Sequence, residues 1–156
     1  MKMEKARRKR KMNKKKILFI CKHNVFRSRT AEVLFNKYNK NKKYSASSAG
    51  LIKYEKKDLI GDKGYHAEKD AWKELGLKVN LNSKALDSSV LKNIDIVVIV
   101  ADDVPKEIFN DKITKAKVIV WKIKDVKSDY KNKHAVAMNS IKQIDKKVLG
   151  FVRSLR

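Results

Sequence analysis

Several residue types that build covalent or metal-bound frameworks are nearly missing from this sequence. One cysteine, Cys21, stands in 156 residues, so no disulfide can form within the chain, and a reducing compartment, most simply the cytoplasm, is expected. The three histidines, at 23, 66 and 134, are too scattered for a ligand spacing. Neither a structural nor a catalytic metal is expected, and no other cofactor is implied. No apolar run approaches the roughly 20 residues that a membrane span needs. Ile17 to Cys21, which follows a basic start, is also shorter than the h-region of about 7–15 residues of a signal peptide. Acidic residues are few as well, 17 against 40 Lys and Arg, for a formal net charge of +23. That excess attracts anionic partners in general, whether nucleic acid, anionic lipid or phosphorylated substrate, without choosing among them.

The charge is uneven. Residues 1–16 hold ten Lys and Arg and one Glu, with no periodic apolar residue, and are expected to form a disordered tail able to make weak polyanion or nucleic-acid contacts. The remainder, residues 17–156, has the length of a single domain with a proper core.

What is present begins at Ile17. Residues 17–21, ILFIC, have the length and apolar continuity of a buried strand. A polar loop follows, and then Ala31, Leu34, Phe35 and Tyr38 recur at helical spacing. This order places the loop at a helix N-terminus, where free N–H groups and the helix dipole favour an anion. The loop reads Cys-x5-Arg-Ser, from Cys21 to Arg27-Ser28. Five intervening residues suffice to wrap the backbone round a tetrahedral oxyanion as a nest of amides. The same amides would favour Cys21 as thiolate, and the Arg27 guanidinium suits two phosphate oxygens at once.

With Asn24 and the pair Ala31-Glu32 at matching positions, the stretch resembles the low-molecular-weight protein tyrosine phosphatases and the arsenate reductases of the same fold. The resemblance implies Cys21 as nucleophile, forming a phosphocysteine, and Arg27 as the clamp on the transferred group. Lys22, His23, Asn24, Val25, Phe26 and Ser28 would complete the substrate cradle, largely through their amides. Ser28 hydroxyl would donate to the thiolate, and Asn24 suits a left-handed position in the turn. His23 would either line the entrance or pack. Val25 and Phe26 stand where many relatives carry a second cysteine.

Further along, Tyr44 to Ala49 reads as a second strand ending in Ser-Ala-Gly, followed by a polar, mobile stretch, Leu51 to His66, with Gly61 and Gly64 as breakers. A helix is expected over Ala67 to Leu75, stopped by Gly76, with Ala67, Ala71 and Leu75 on one face and Trp72 packing beside it. Leu86, Val90, Leu91 and Ile94 indicate a short helix. Ile94 to Ala101 is a strand covered on both faces, Val118 to Ile123 a fourth, and a final helix from about Asn132 carries Ile141, Ile144, Val148, Val152 and Leu155 on one stripe. Strands alternating with helices predict a doubly wound α/β domain with a four-stranded parallel sheet and helices on both faces. The resemblance implies the flavodoxin-like order 2-1-3-4, with Cys21 and Asp102-Asp103 meeting at the switch point. These two aspartates would orient substrate or, the favoured reading, cap the helix after them.

A general acid must come from elsewhere in the chain. The family supplies it from an Asp-Pro after the fourth strand, and this sequence has Asp125-Val126 there. Asp125 is favoured because it keeps the short distance from the strand, and Asp129-Tyr130 is the second candidate. The leading expectation is hydrolysis of a phosphorylated protein or small aryl phosphate. The alternative is arsenate reduction with an external thiol, since further cysteines are missing. A third reading is a catalytically quiet module that binds anions or nucleic acid.

Overall fold

The computed structural model describes residues 14–52, 59, 61–80, 82–127 and 130–155. Most of the expected tail, residues 53–58 and 60 of the stretch expected to be mobile, and Asp129 lie outside the described residues. Among the described residues four strands and four α-helices are set out along the chain. They are β1 (Lys15–Cys21), α1 (Arg27–Tyr38), β2 (Tyr44–Gly50), α2 (Lys63–Glu74), the single turn α3 (Ser88–Leu91), β3 (Ile96–Val100), β4 (Lys117–Trp121) and α4 (Lys133–Ser154). A 3-10 turn, Lys106–Phe109, stands between β3 and β4.

The sheet is parallel throughout, in the order β2-β1-β3-β4. Central β1 sends alternate side chains into two cores, as the two-residue period of a strand requires. Ile17 and Phe19 pack with Leu34 and Phe35 of α1 and with Ile144 and Val148 of α4. Leu18 and Ile20 pack on the other face with Leu91, Val97, Ile99 and Phe109. Each such fully buried side chain contributes about 1.5–3 kcal/mol, which is why an unbroken apolar run pairs with two-sided cover. A third cluster joins α2 to α4 through Tyr65, Trp72, Ala137 and Ile141, and includes Phe26 and Val126 from the loops after β1 and β4. Among the described residues no helix is long and apolar enough to cross a membrane.

Element ends differ from the sequence expectation where tertiary contacts decide them. β1 starts two residues before the apolar run, because Lys15 and Lys16 pair with Tyr44 and Ser45. β4 ends at Trp121, and Ile123 beyond it turns its carbonyl to Asp102 N at 3.1 Å and to Arg27 Nη1 at 2.9 Å. Helix α2 begins four residues earlier than its apolar spacing suggests. Asp62 caps it by accepting from Tyr65 N at 3.1 Å, and Gly64 lies inside it, where an added Cβ would come within 2.5 Å of Val126 O. Its buried face is Gly64, Tyr65, Glu68, Ala71 and Trp72, whereas Leu75, expected inward, is 41% exposed.

Candidate active site

Strand β1 delivers Cys21 to the carboxyl edge of the sheet, in register with Gly50 of β2. The chain then bends back into α1 within five residues. Asn24 makes that bend with φ 52°, the one left-handed non-glycine among the described residues. Its amide serves both sides: Nδ2 donates to Ser28 Oγ at 2.7 Å, and Oδ1 accepts from Lys84 N at 3.0 Å. Ser28 Oγ lies 3.0 Å from Cys21 Sγ. Thiol and hydroxyl can each donate across that contact, and with Cys21 as thiolate only the Ser28 hydroxyl has a hydrogen to give. No side chain caps α1 at Phe26, so the first-turn N–H groups have no capping acceptor and suit an anion.

Arg27 opens α1 and is 2% exposed, the largest of the fully buried side chains. A buried guanidinium needs partners on every edge. Nη1 donates to Ile123 O at 2.9 Å and lies 3.4 Å from Asp102 Oδ1, Nη2 lies 3.0 Å from Asp103 Oδ1, and Nε lies 3.9 Å from Asp125 Oδ1. Burial pulls the Arg27 pKa down, but the charges of Cys21, Asp125 and Asp103 more than offset it and leave it raised. Asp102 and Asp103 are not the helix caps that their position suggested. The 3-10 turn follows Pro105 without a side-chain cap, and both carboxylates go to Arg27, since a buried cation gains more from them than a solvated turn would.

A cavity of about 210 Å³ lies over the thiol. Cys21, Arg27 and Asp125 line it together with His23, Val25 and Phe26. Lys22, Asn24 and Ser28 are not among its lining residues: Lys22 is exposed, and the other two are buried behind the loop. Half-buried His23 has its pKa lowered, by burial first and then by Lys22. Asp125 is one-third exposed and accepts from Val126 N at 3.0 Å.

The far wall was not anticipated from the sequence. It is built from Leu59, Asp62, Tyr65 and Glu68, with Val126 and Lys127 beside Asp125. Glu68 is 4% exposed, and its Oε2 has no hydrogen-bond partner among the described residues. Burial, followed by the charges of Asp125, Asp62 and Cys21, raises its pKa well above the carboxylate range, with Arg27 acting in the opposite sense. The available signal was an acid three residues from Tyr65 and from Ala71, inside what proves to be the buried face of α2.

Comparison with known proteins places these features in company. Residues 16–147 match the model of a family described as low molecular weight phosphotyrosine protein phosphatase. No curated protein matches the chain. An arsenate reductase from Archaeoglobus fulgidus is 28% identical with a TM-score of 0.58, over 85% of this chain and 98% of that one. Wzb of Vibrio vulnificus, solved with benzylphosphonate, is 22% identical with a TM-score of 0.65, over 90% and 98%. The low molecular weight protein tyrosine phosphatase SP-PTP of Streptococcus pyogenes is 17% identical with a TM-score of 0.66, over 91% and 93%. The last two likenesses speak to the fold alone.

Proposed function

Because the chain belongs to the low molecular weight phosphotyrosine protein phosphatase family, we propose that it hydrolyses phosphomonoesters, phosphotyrosine or other aryl phosphates, through a phosphocysteine. The observation that carries this reading is the meeting of Cys21 Sγ, Ser28 Oγ at 3.0 Å and buried Arg27 at an uncapped helix start, with Cys21 and Arg27 open to one cavity. In this mechanism the Cys21 thiolate attacks phosphorus, an S–P bond forms and the bond to the leaving oxygen breaks. Arg27 and the amides of residues 22–28 hold the non-bridging oxygens as they gain charge, which is where preorganised donors act most strongly. Ser28 supports the thiolate before attack and again as it leaves. Asp125 protonates the leaving oxygen, and water then cleaves the phosphocysteine to phosphate and free thiolate. A lone thiol nucleophile needs a compartment where thiols stay reduced, which supports the cytoplasm as its place.

A second reading, arsenate reduction, is favoured by the 28% identity to an arsenate reductase. With Cys21 as the sole cysteine, that reaction would draw its reducing thiols from outside the chain. A paired assay separates the two: hydrolysis of an aryl phosphate against thiol-dependent reduction of arsenate. Cys21→Ser should abolish the hydrolysis, by up to about a millionfold as for other lost nucleophiles, and still bind vanadate through Arg27 and the loop. Near-native hydrolysis by Cys21→Ser would end the thiol mechanism, and arsenate reduction without ester hydrolysis would select the second reading.

A further inference from the structure

Two carboxyls line the cavity over Cys21 in different surroundings. Asp125 is partly solvated, faces the Arg27 guanidinium and accepts a backbone N–H. Glu68 is buried, and its Oε2 opens on no donor among the described residues. An acceptor left unpaired so deep carries the desolvation penalty with no hydrogen bond to offset it. A fold that only needed to fill the space between Tyr65 and Ala71 would have met it with an apolar side chain. We propose that Glu68 is a proton-donating residue of this site, entering the phosphoryl transfer as the neutral acid and giving its proton to the leaving oxygen. This inference rests on the phosphatase reading above.

The groups facing Glu68 support that state. Asp62 and Tyr65 come from the start of α2, Asp125 from the loop after β4, and Cys21 and Arg27 from the loop after β1. Burial and the acidic neighbours raise its pKa, and only Arg27 opposes them. A buried carboxyl whose surroundings hold it neutral at the wall of a reacting site is a recurring form of general acid. A neutral carboxyl also adds no repulsion when a phosphate dianion enters. As the S–P bond forms and the P–O bond breaks, the Glu68 proton goes to the departing oxygen, giving the free phenol and a Glu68 carboxylate. The water that cleaves the phosphocysteine returns a proton to that carboxylate, leaving phosphate and the Cys21 thiolate. Asp125 and Glu68 are then alternative sources of the one proton that each turnover needs, so each single variant loses part of the rate and the double variant loses the rest.

The test compares phenyl phosphate, whose leaving group needs a proton, with 4-nitrophenyl phosphate, whose leaving group scarcely does. Glu68→Gln keeps shape and polarity and removes the acid. It should slow phenyl phosphate by about 10²-fold, within the usual range for acid catalysis, and slow the nitrophenyl ester only a few-fold. In an Asp125→Asn background the alkaline limb of kcat/KM should belong to Glu68 and vanish in the double variant, while Glu68→Asp restores part of the phenyl phosphate rate. Vanadate affinity, measured beside these rates, should stay within a few-fold in every variant. An unchanged ratio of the two ester rates in Glu68→Gln overturns the inference and leaves the phosphatase reading standing. A parent protein that hydrolyses neither ester overturns both.

Discussion

Arg27 carries its charge with almost no solvent, so what surrounds it decides what it can do. Asp103, Asp102 and the Ile123 carbonyl hold one side of the guanidinium, which fixes its direction before any oxyanion arrives. A lysine keeps the charge but is a point donor, without the fork that spans two oxygens or two carboxylates. Arg27→Lys should therefore lower kcat/KM for aryl phosphates by at least about 10²-fold, the scale of losing an oxyanion donor, with weaker vanadate binding in parallel. Activity within a few-fold of the parent would show that the clamp lies elsewhere. Glu68 permits a second prediction at this scale, on stability. Its folded pKa is raised above the unfolded value, so between the two values the native state binds more protons than the unfolded state, and stability falls as pH rises through that window. Gln has no proton to lose. Glu68→Gln should match the parent in Tm in mild acid and exceed it by a growing margin toward neutral pH, as melts across pH would record. A margin that does not change with pH would mean that Glu68 sits no differently from a solvated carboxylate.

At the scale of elements, the site depends on close backbone approaches that a one-dimensional pattern cannot display. At Gly50, the end of β2, an added Cβ would stand 2.6 Å from both Asn24 N and His23 C. Those are loop backbone atoms, which cannot swing aside as a side-chain tip can. Gly50→Ala should cost about 1–3 kcal/mol, as overpacking does, and should lower vanadate affinity and turnover together because the loop carrying Cys21 must shift. A variant with parent-like Tm and affinity would show that the loop tolerates displacement. The strands were legible in the sequence, since ILFIC and IDIVVIVA are too continuously apolar for a sheet open on one face, whereas the order 2-1-3-4 was only what the family resemblance implied. The start of α2 was not, because Gly61 and Gly64 read as breakers, whereas Gly64 serves a packing contact with the loop after β4. The loop motif placed Cys21, Arg27 and Ser28 at a helix start from spacing alone. The pairing of Asp102 and Asp103 with Arg27 spans some 75 residues and leaves no local trace.

For the molecule as a whole, a net charge of +23 contrasts with a small cavity lined by Asp62, Glu68 and Asp125, so the general field and the local site do different jobs. The field raises the encounter rate with any polyanion, whereas the loop selects a single phosphoryl group. Residues 2–11 carry seven Lys and Arg and one Glu, and β1 begins only at Lys15. Deleting residues 2–11 should therefore leave the hydrolysis of small aryl phosphates and the Tm within experimental error of the parent. Binding to a single-stranded oligonucleotide should respond differently. Each phosphate neutralised contributes about 0.7 to the slope of log K against log salt on single strands, so the parent should lose affinity steeply as salt rises. The deleted form should show a shallower slope, though not a flat one, because the rest of the chain is itself basic. Fluorescence anisotropy with a labelled oligonucleotide at several salt concentrations measures both slopes. Equal slopes would assign the polyanion contact to the α/β domain, and a fall in Tm or in small-substrate turnover would make residues 2–11 part of the fold.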